Sequence, residues 1–154
     1  MAGDTKTTDA RDKGPSPRPM VPLRPGLFRL PEGPGEKACL VGSRCPDCDS
    51  YFYPTRAICL NCGRQGLDET GLSDRGKVWT YTIARQTPPG SLIEAPYAIA
   101  QVQLPEKVMV QTVLTGCDPE SVRIGLDVEM VIEKVKEDAD GNDVCAFKFR
   151  PVSA

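Results

Sequence analysis

Apolar and polar positions divide this chain into three zones, and the last is read first because its pattern is regular. Residues 77–83, Lys-Val-Trp-Thr-Tyr-Thr-Ile, are rich in aromatic and β-branched side chains and predict a strand. Residues 97–104 and 108–114 predict two more, joined by the short connection Pro105-Glu106-Lys107. Residues 127–135 alternate, with Val128, Met130 and Ile132 on one face and Asp127, Glu129 and Glu133 on the other. After the acidic turn of 137–143, Cys145, Phe147 and Phe149 alternate against Val144, Ala146 and Lys148. Asp118 and Pro119 carry the cap and first position of a helical turn between the third and fourth strands. Five short strands with this punctuation predict a mainly β domain, a five-stranded closed barrel of the OB type over residues 67–154. Within its first strand, Trp79 and Tyr81 are expected to be one core residue and one surface residue.

The first zone, residues 1–37, reads differently. It holds Pro15, Pro17, Pro19, Pro22, Pro25, Pro31 and Pro34, a density that forbids helix and favours extended backbone. Residues 1–18 are expected to be disordered. Between residues 19 and 30 lie Met20, Val21, Leu23, Leu27, Phe28 and Leu30, which a purely solvated linker does not need. Met20, Leu27, Phe28 and Leu30 are therefore expected to dock on a partner's surface as an extended arm.

The middle zone, residues 38–66, is built around cysteine. Cys45-Pro-Asp-Cys48 and Cys59-Leu-Asn-Cys62 form C-x2-C-x10-C-x2-C. Two such knuckles facing each other make a tetrahedral thiolate cage, and zinc suits it because it is borderline-soft and accepts four sulfurs. Iron in a rubredoxin-like centre fits the same spacing. Four thiolates close the coordination sphere, so the metal is structural rather than catalytic. Tyr51, Phe52 and Tyr53 lie between the knuckles; they are expected to pack the ribbon against the barrel, and they double as candidate partner anchors. Cys39, Cys117 and Cys145 are left over, Cys145 as a small core hydrophobe.

Charge and composition then remove whole classes of function. The chain has 154 residues, seven cysteines and no histidine, so no Ser-His-Asp or Cys-His machinery and no imidazole base can come from it alone. Beyond Lys37, twelve basic residues face sixteen acidic ones. An acidic barrel is a weak trap for nucleic acid, and a free-standing single-strand binder of the OB type stands as the alternative reading. No secretory leader or membrane-length apolar run is evident, and a cytoplasmic location is expected.

The stretch from Ser43 to Gly63, Ser-Arg-Cys-Pro-Asp-Cys-Asp-Ser-Tyr-Phe-Tyr-Pro-Thr-Arg-Ala-Ile-Cys-Leu-Asn-Cys-Gly, resembles the rubredoxin-like zinc ribbon of small acyl-CoA-associated proteins. In that family an OB-fold domain follows directly, and Gly76-Lys-Val-Trp-Thr-Tyr-Thr, Ala95-Pro-Tyr-Ala-Ile-Ala-Gln-Val-Gln-Leu104, the run from Gly116 to Glu129 and Phe149-Arg-Pro151 are similar to its later signatures. Two features depart from it: Pro-Glu-Lys follows Leu104 where a glycine turn is more usual, and a Pro-rich leader replaces an amphipathic helix. The resemblance implies a non-catalytic accessory subunit of a larger thiolase or thiolase-like partner that handles acyl-CoA. Such pairs include thiolases of 2-benzoylsuccinyl-CoA in anaerobic toluene breakdown, and hydratase or aldolase pairs of steroid side-chain breakdown. Arg85 and Arg123 are the candidates for contact with CoA phosphates, against the plainer reading of solvated loop residues.

Overall fold

The computed structural model describes residues 17–153. Residues 1–16, part of the leader expected to be disordered, lie outside them. The barrel is built from β6 (Arg75–Ala84), β7 (Tyr97–Gln103), β8 (Met109–Val113), β9 (Asp127–Glu137) and β10 (Asp143–Pro151). Alternation buries Ala98, Ala100 and Val102 from β7 and Val110 and Thr112 from β8. These meet Val78, Val128 and Phe149 in the core. The sheet order runs β10-β9-β6-β7-β8. A parallel bridge between Leu114 and Phe149, with the Thr115 N–H donating to the Phe149 carbonyl at 2.8 Å, closes it.

The connections follow the turn chemistry of the sequence. The 3-10 turn Pro119–Ser121 has Asp118 as its cap, whose carboxylate accepts from the Glu120 N–H at 2.9 Å. Between β7 and β8, Lys107 takes φ 62°, so a lysine occupies the left-handed position that a glycine fills at lower cost.

The ribbon comprises β3 (Cys39–Arg44), β4 (Tyr51–Phe52) and β5 (Asp68–Gly71), with β3 paired to both of the others. Its last strand thus extends beyond residue 66 into the stretch assigned to the barrel. Gly42 sits where the strands crowd: a Cβ there would lie 2.5 Å from the Phe52 carbonyl oxygen and 2.8 Å from Leu72 Cδ1. Leu40 and Leu72 belong to the same buried cluster as the barrel residues, so ribbon and barrel share one core.

The arm folds onto this chain's own barrel. β1 (Met20–Pro22) pairs in parallel with β10, and the Leu23 N–H donates to the Cys145 carbonyl at 2.7 Å. β2 (Phe28–Arg29) pairs with β3. Phe28 is only 5% exposed and meets Phe147 edge to face, with ring centroids 5.8 Å apart. Tyr53 also meets Phe147 edge to face, with centroids 6.3 Å apart, so arm, ribbon and barrel converge on one ring. Six prolines between residues 17 and 37 leave few backbone donors, and two very short strands are what such a segment can pair.

Two details break simple alternation. A register shift between Val144 and Cys145 leaves both buried. A second shift between Val78 and Thr80 makes Trp79 a bulge residue. Trp79 and Tyr81 were expected to divide between core and surface; instead they are 56% and 36% exposed. The bulge resets the alternation, so Tyr81 lies opposite buried Ala100 while Trp79 is the extra residue, and beyond Val78 the strand runs past its pairing with β9, so neither ring is covered.

Candidate metal centre

The two knuckles are near copies of each other. The Asp49 N–H donates to the Cys45 carbonyl and the Gly63 N–H to the Cys59 carbonyl, both at 3.0 Å. The Cys45 N–H reaches the Ser50 carbonyl at 2.9 Å and the Cys59 N–H the Arg64 carbonyl at 2.8 Å. Each loop must turn sharply just after its second cysteine, and Asp49 and Gly63 do so with φ 56° and 77°. Charge ties the loops down: Arg44 pairs with Asp49, and Arg64 Nη1 reaches across to the other knuckle at Asp47, 3.0 and 3.1 Å from its two oxygens.

These turns bring the four sulfurs of Cys45, Cys48, Cys59 and Cys62 within 4.8 Å of one another. Cys45 Sγ lies 3.6 Å from Cys62 Sγ, and Cys48 Sγ lies 3.6 Å from Cys59 Sγ. A regular tetrahedron with metal–sulfur bonds of about 2.3 Å has edges of about 3.8 Å, so the cage is already the size of a tetrathiolate site. The thiols by themselves do not all ionise. Hydrogen bonds from Ser50 and Asn61 bring Cys48 down to about 6. The Arg64 amide favours the Cys62 thiolate, yet desolvation and the neighbouring thiols outweigh it and push Cys62 up to about 12. A bound dication would let four thiolates coexist. The four sulfurs cluster on one another as the donors of a closed tetrathiolate site do.

Two of the three remaining cysteines are shifted away from the thiolate. Burial and the Asp118 charge raise Cys117, and burial and Asp143 raise Cys145. Cys39 is half-buried beside Gly71.

The residues expected at a partner surface are placed as follows. Phe28 is buried in the chain's own core, and Leu27, Leu30, Tyr51 and Tyr53 are half-buried against it, so these groups are largely spent within the chain. Phe52 is half-buried and Met20 exposed. Burial drives the Tyr53 phenol up to about 12. Arg85 is held by Glu120 at 2.7 Å, and Arg123 is exposed without an ion pair among the described residues. The residues that the pattern missed are the exposed rings of β6. A β-rich run predicts a strand whether or not a neighbour covers it, and nothing in the sequence marked this one as uncovered.

Residues 40–68 match the ChsH2 rubredoxin-like zinc ribbon domain, and residues 69–133 the ChsH2 C-terminal OB-fold domain. A DUF35 domain-containing scaffold protein of Methanocaldococcus jannaschii is 38% identical over 119 residues, 76% of this chain and 84% of that protein. The benzoylsuccinyl-CoA thiolase subunit BbsA of Thauera aromatica is 28% identical, covering 92% of this chain and 96% of its own. Among solved structures, the Ltp2-ChsH2(DUF35) aldolase superposes with a TM-score of 0.62 at 30% identity, over 73% of this chain and 84% of that one.

Proposed function

This chain belongs to the DUF35 family of zinc-ribbon and OB-fold proteins, and from that premise we propose that it is a non-catalytic accessory subunit of a thiolase-type acyl-CoA enzyme. It docks on a larger catalytic subunit and orders it for thiolytic cleavage of a 3-ketoacyl-CoA. The observation that carries this reading is a likeness, over most of the chain, to proteins named as subunits and scaffolds, in a sequence without a single histidine. Thiolytic cleavage needs an activated cysteine and a base to move protons to and from CoA. In this reading the cage sulfurs hold a metal, burial raises Cys117 and Cys145 away from the thiolate, and half-buried Cys39 has no histidine in the chain to activate it. The nucleophile and base therefore belong to the partner.

The metal in this reading is zinc. It supplies no chemistry beyond cross-linking the two knuckles, and Cys45, Cys48, Cys59 and Cys62 are its ligands. The finer substrate, 2-benzoylsuccinyl-CoA in anaerobic toluene degradation, is supported by the BbsA likeness alone.

The test is co-expression of the full chain with a thiolase-type catalytic polypeptide, followed by size-exclusion chromatography and metal analysis. Co-elution in a fixed ratio, with one zinc per copy of this chain, is expected. Separate elution of the two polypeptides across a range of salt contradicts the reading.

A further inference from the structure

The outer half of β6 is a strand without a neighbour. Its first residues pair with β9, Arg75 to Glu129 through Lys77 to Asp127. Val78 then exchanges hydrogen bonds with the loop before β9: its N–H donates to Leu126 at 2.9 Å, and its carbonyl accepts from Gly125 at 2.8 Å. From Thr80 to Ala84 the strand is paired only to β7, and among the described residues nothing pairs with its other edge.

Neither face is covered either. Trp79, Thr80, Tyr81 and Thr82 are exposed in succession, whereas a strand lying on a core buries every second residue. The composition is the reverse of a protected edge: Trp-Thr-Tyr-Thr-Ile-Ala is aromatic and β-branched, with no charge and no proline. The bulge at Trp79 does not blunt it, because the ladder beyond is regular from Thr80 to Ala84. Ile124, 69% exposed, precedes the Gly125 that bonds Val78 and so adds apolar surface at the Trp79 end. The charges at either end are already matched, Lys77 to Asp127 at 2.6 Å and Arg85 to Glu120 at 2.7 Å. What is left is an electrically neutral strip about 20 Å long, with unpaired backbone groups along it.

We propose that the open edge of β6 receives an extended, uncharged segment of the catalytic partner subunit, added as a further strand, with Trp79, Tyr81 and Ile124 as its apolar anchors. This rests on the accessory-subunit reading and names the surface that serves it. The neutral strip selects an uncharged occupant, since a charged one would be desolvated with nothing to meet it. A second copy pairing edge to edge would satisfy the backbone but leave both faces of each strand bare. A larger subunit can supply the strand together with the surface that covers the faces. Aromatic side chains at the centre of such a contact are the usual energetic hot spots.

Trp79 is this chain's only tryptophan, so 7-azatryptophan incorporated into this chain alone reports on this edge when excited beyond the absorption of the partner's own tryptophans. The full chain, loaded with zinc, is titrated with the purified thiolase-type catalytic polypeptide while Trp79 emission is followed. Affinities are measured in parallel for wild type, Tyr81→Lys, Ile83→Pro and, as a control in the β9–β10 turn, Asp140→Lys; Ile83 pairs with Ala98, whose own carbonyl faces β8, so the Ile83 N–H points to the open edge. We expect a blue shift on binding, a loss of about 30-fold or more in affinity for Tyr81→Lys and Ile83→Pro, and wild-type affinity for Asp140→Lys. Should Ile83→Pro melt early, Tyr81→Lys and the wild-type emission decide the matter alone. A complex that forms with unchanged emission and indifferent variants overturns the proposal while leaving the accessory-subunit reading standing. Failure of any complex to form overturns both. A blue shift that appears with rising concentration of this chain alone assigns the edge to a second copy, and quenching by a thymidine oligonucleotide at low salt assigns it to nucleic acid; either result overturns the proposal.

Discussion

Replacing Phe28 with alanine tests whether the proline-rich arm is part of the fold or an appendage. The ring is 5% exposed, sits across from Leu40 in the β2–β3 pair, and meets Phe147 edge to face at 5.8 Å with planes at 68°. Truncating a buried phenylalanine to alanine costs about 3–5 kcal/mol, of which the aromatic pair supplies about 0.5–1.5 kcal/mol. The backbone bonds of β2 do not involve the side chain and survive. For a chain of this size, a loss of that order lowers the melting temperature by roughly 8–16 °C. Urea unfolding followed by far-ultraviolet circular dichroism reads the effect as a lower midpoint at unchanged slope. Arg24→Ala, on an exposed position of the same arm, is the control and is expected to stay within about 0.5 kcal/mol of wild type. A loss below about 1 kcal/mol for Phe28→Ala, or an early separate transition in wild type, refutes the shared core.

Three further outcomes follow from the same structure. Gly42→Ala places a methyl group 2.5 Å from the Phe52 carbonyl oxygen and should cost about 1–3 kcal/mol in a thermal melt; a neutral result contradicts the packing of the ribbon strands. Removing the metal with a chelator, or making Cys48→Ser, should lower the melting temperature sharply and abolish the tetrahedral thiolate spectrum of the cobalt-substituted protein, whereas an unchanged melt argues against a metal-held ribbon. Lys148, 2.6 Å away, and the Thr115 hydroxyl at 2.7 Å hold the Glu133 carboxyl below its ordinary value of 4.5 against the opposing effect of burial. A depressed carboxylate contributes stability above that value and loses it as pH falls toward the lower folded value, so the stability difference between wild type and Glu133→Gln should shrink on acidification below about pH 4.5. A difference independent of pH removes the ion pair as its cause.

The metal cage and the barrel strands were legible in the sequence because both are written locally. Cys45, Cys48, Cys59 and Cys62 sit within eighteen residues, and a knuckle is closed by its own backbone. The strands of the barrel announce themselves by period, and Asp118-Pro119 by cap chemistry. The fate of the arm was not legible. Phe28 looks alike in sequence whether it waits for a partner or fills a hole beside Phe147, and only a contact across 119 positions decides between the two. The same holds for Trp79 and Tyr81, whose exposure depends on where β9 stops pairing with β6. Long-range closure settles such questions, and a periodic pattern carries no information about it.

The central claim is that the chemistry lies in another chain and needs this one to proceed. It is tested by assaying CoA-dependent cleavage of a 3-ketoacyl-CoA by the purified catalytic subunit alone, by this chain alone, and by the two together. Activity only in the mixture, saturating at a fixed ratio of the two chains, is the expected result. A catalytic subunit that is fully active and equally stable without this chain, or turnover by this chain alone, contradicts it.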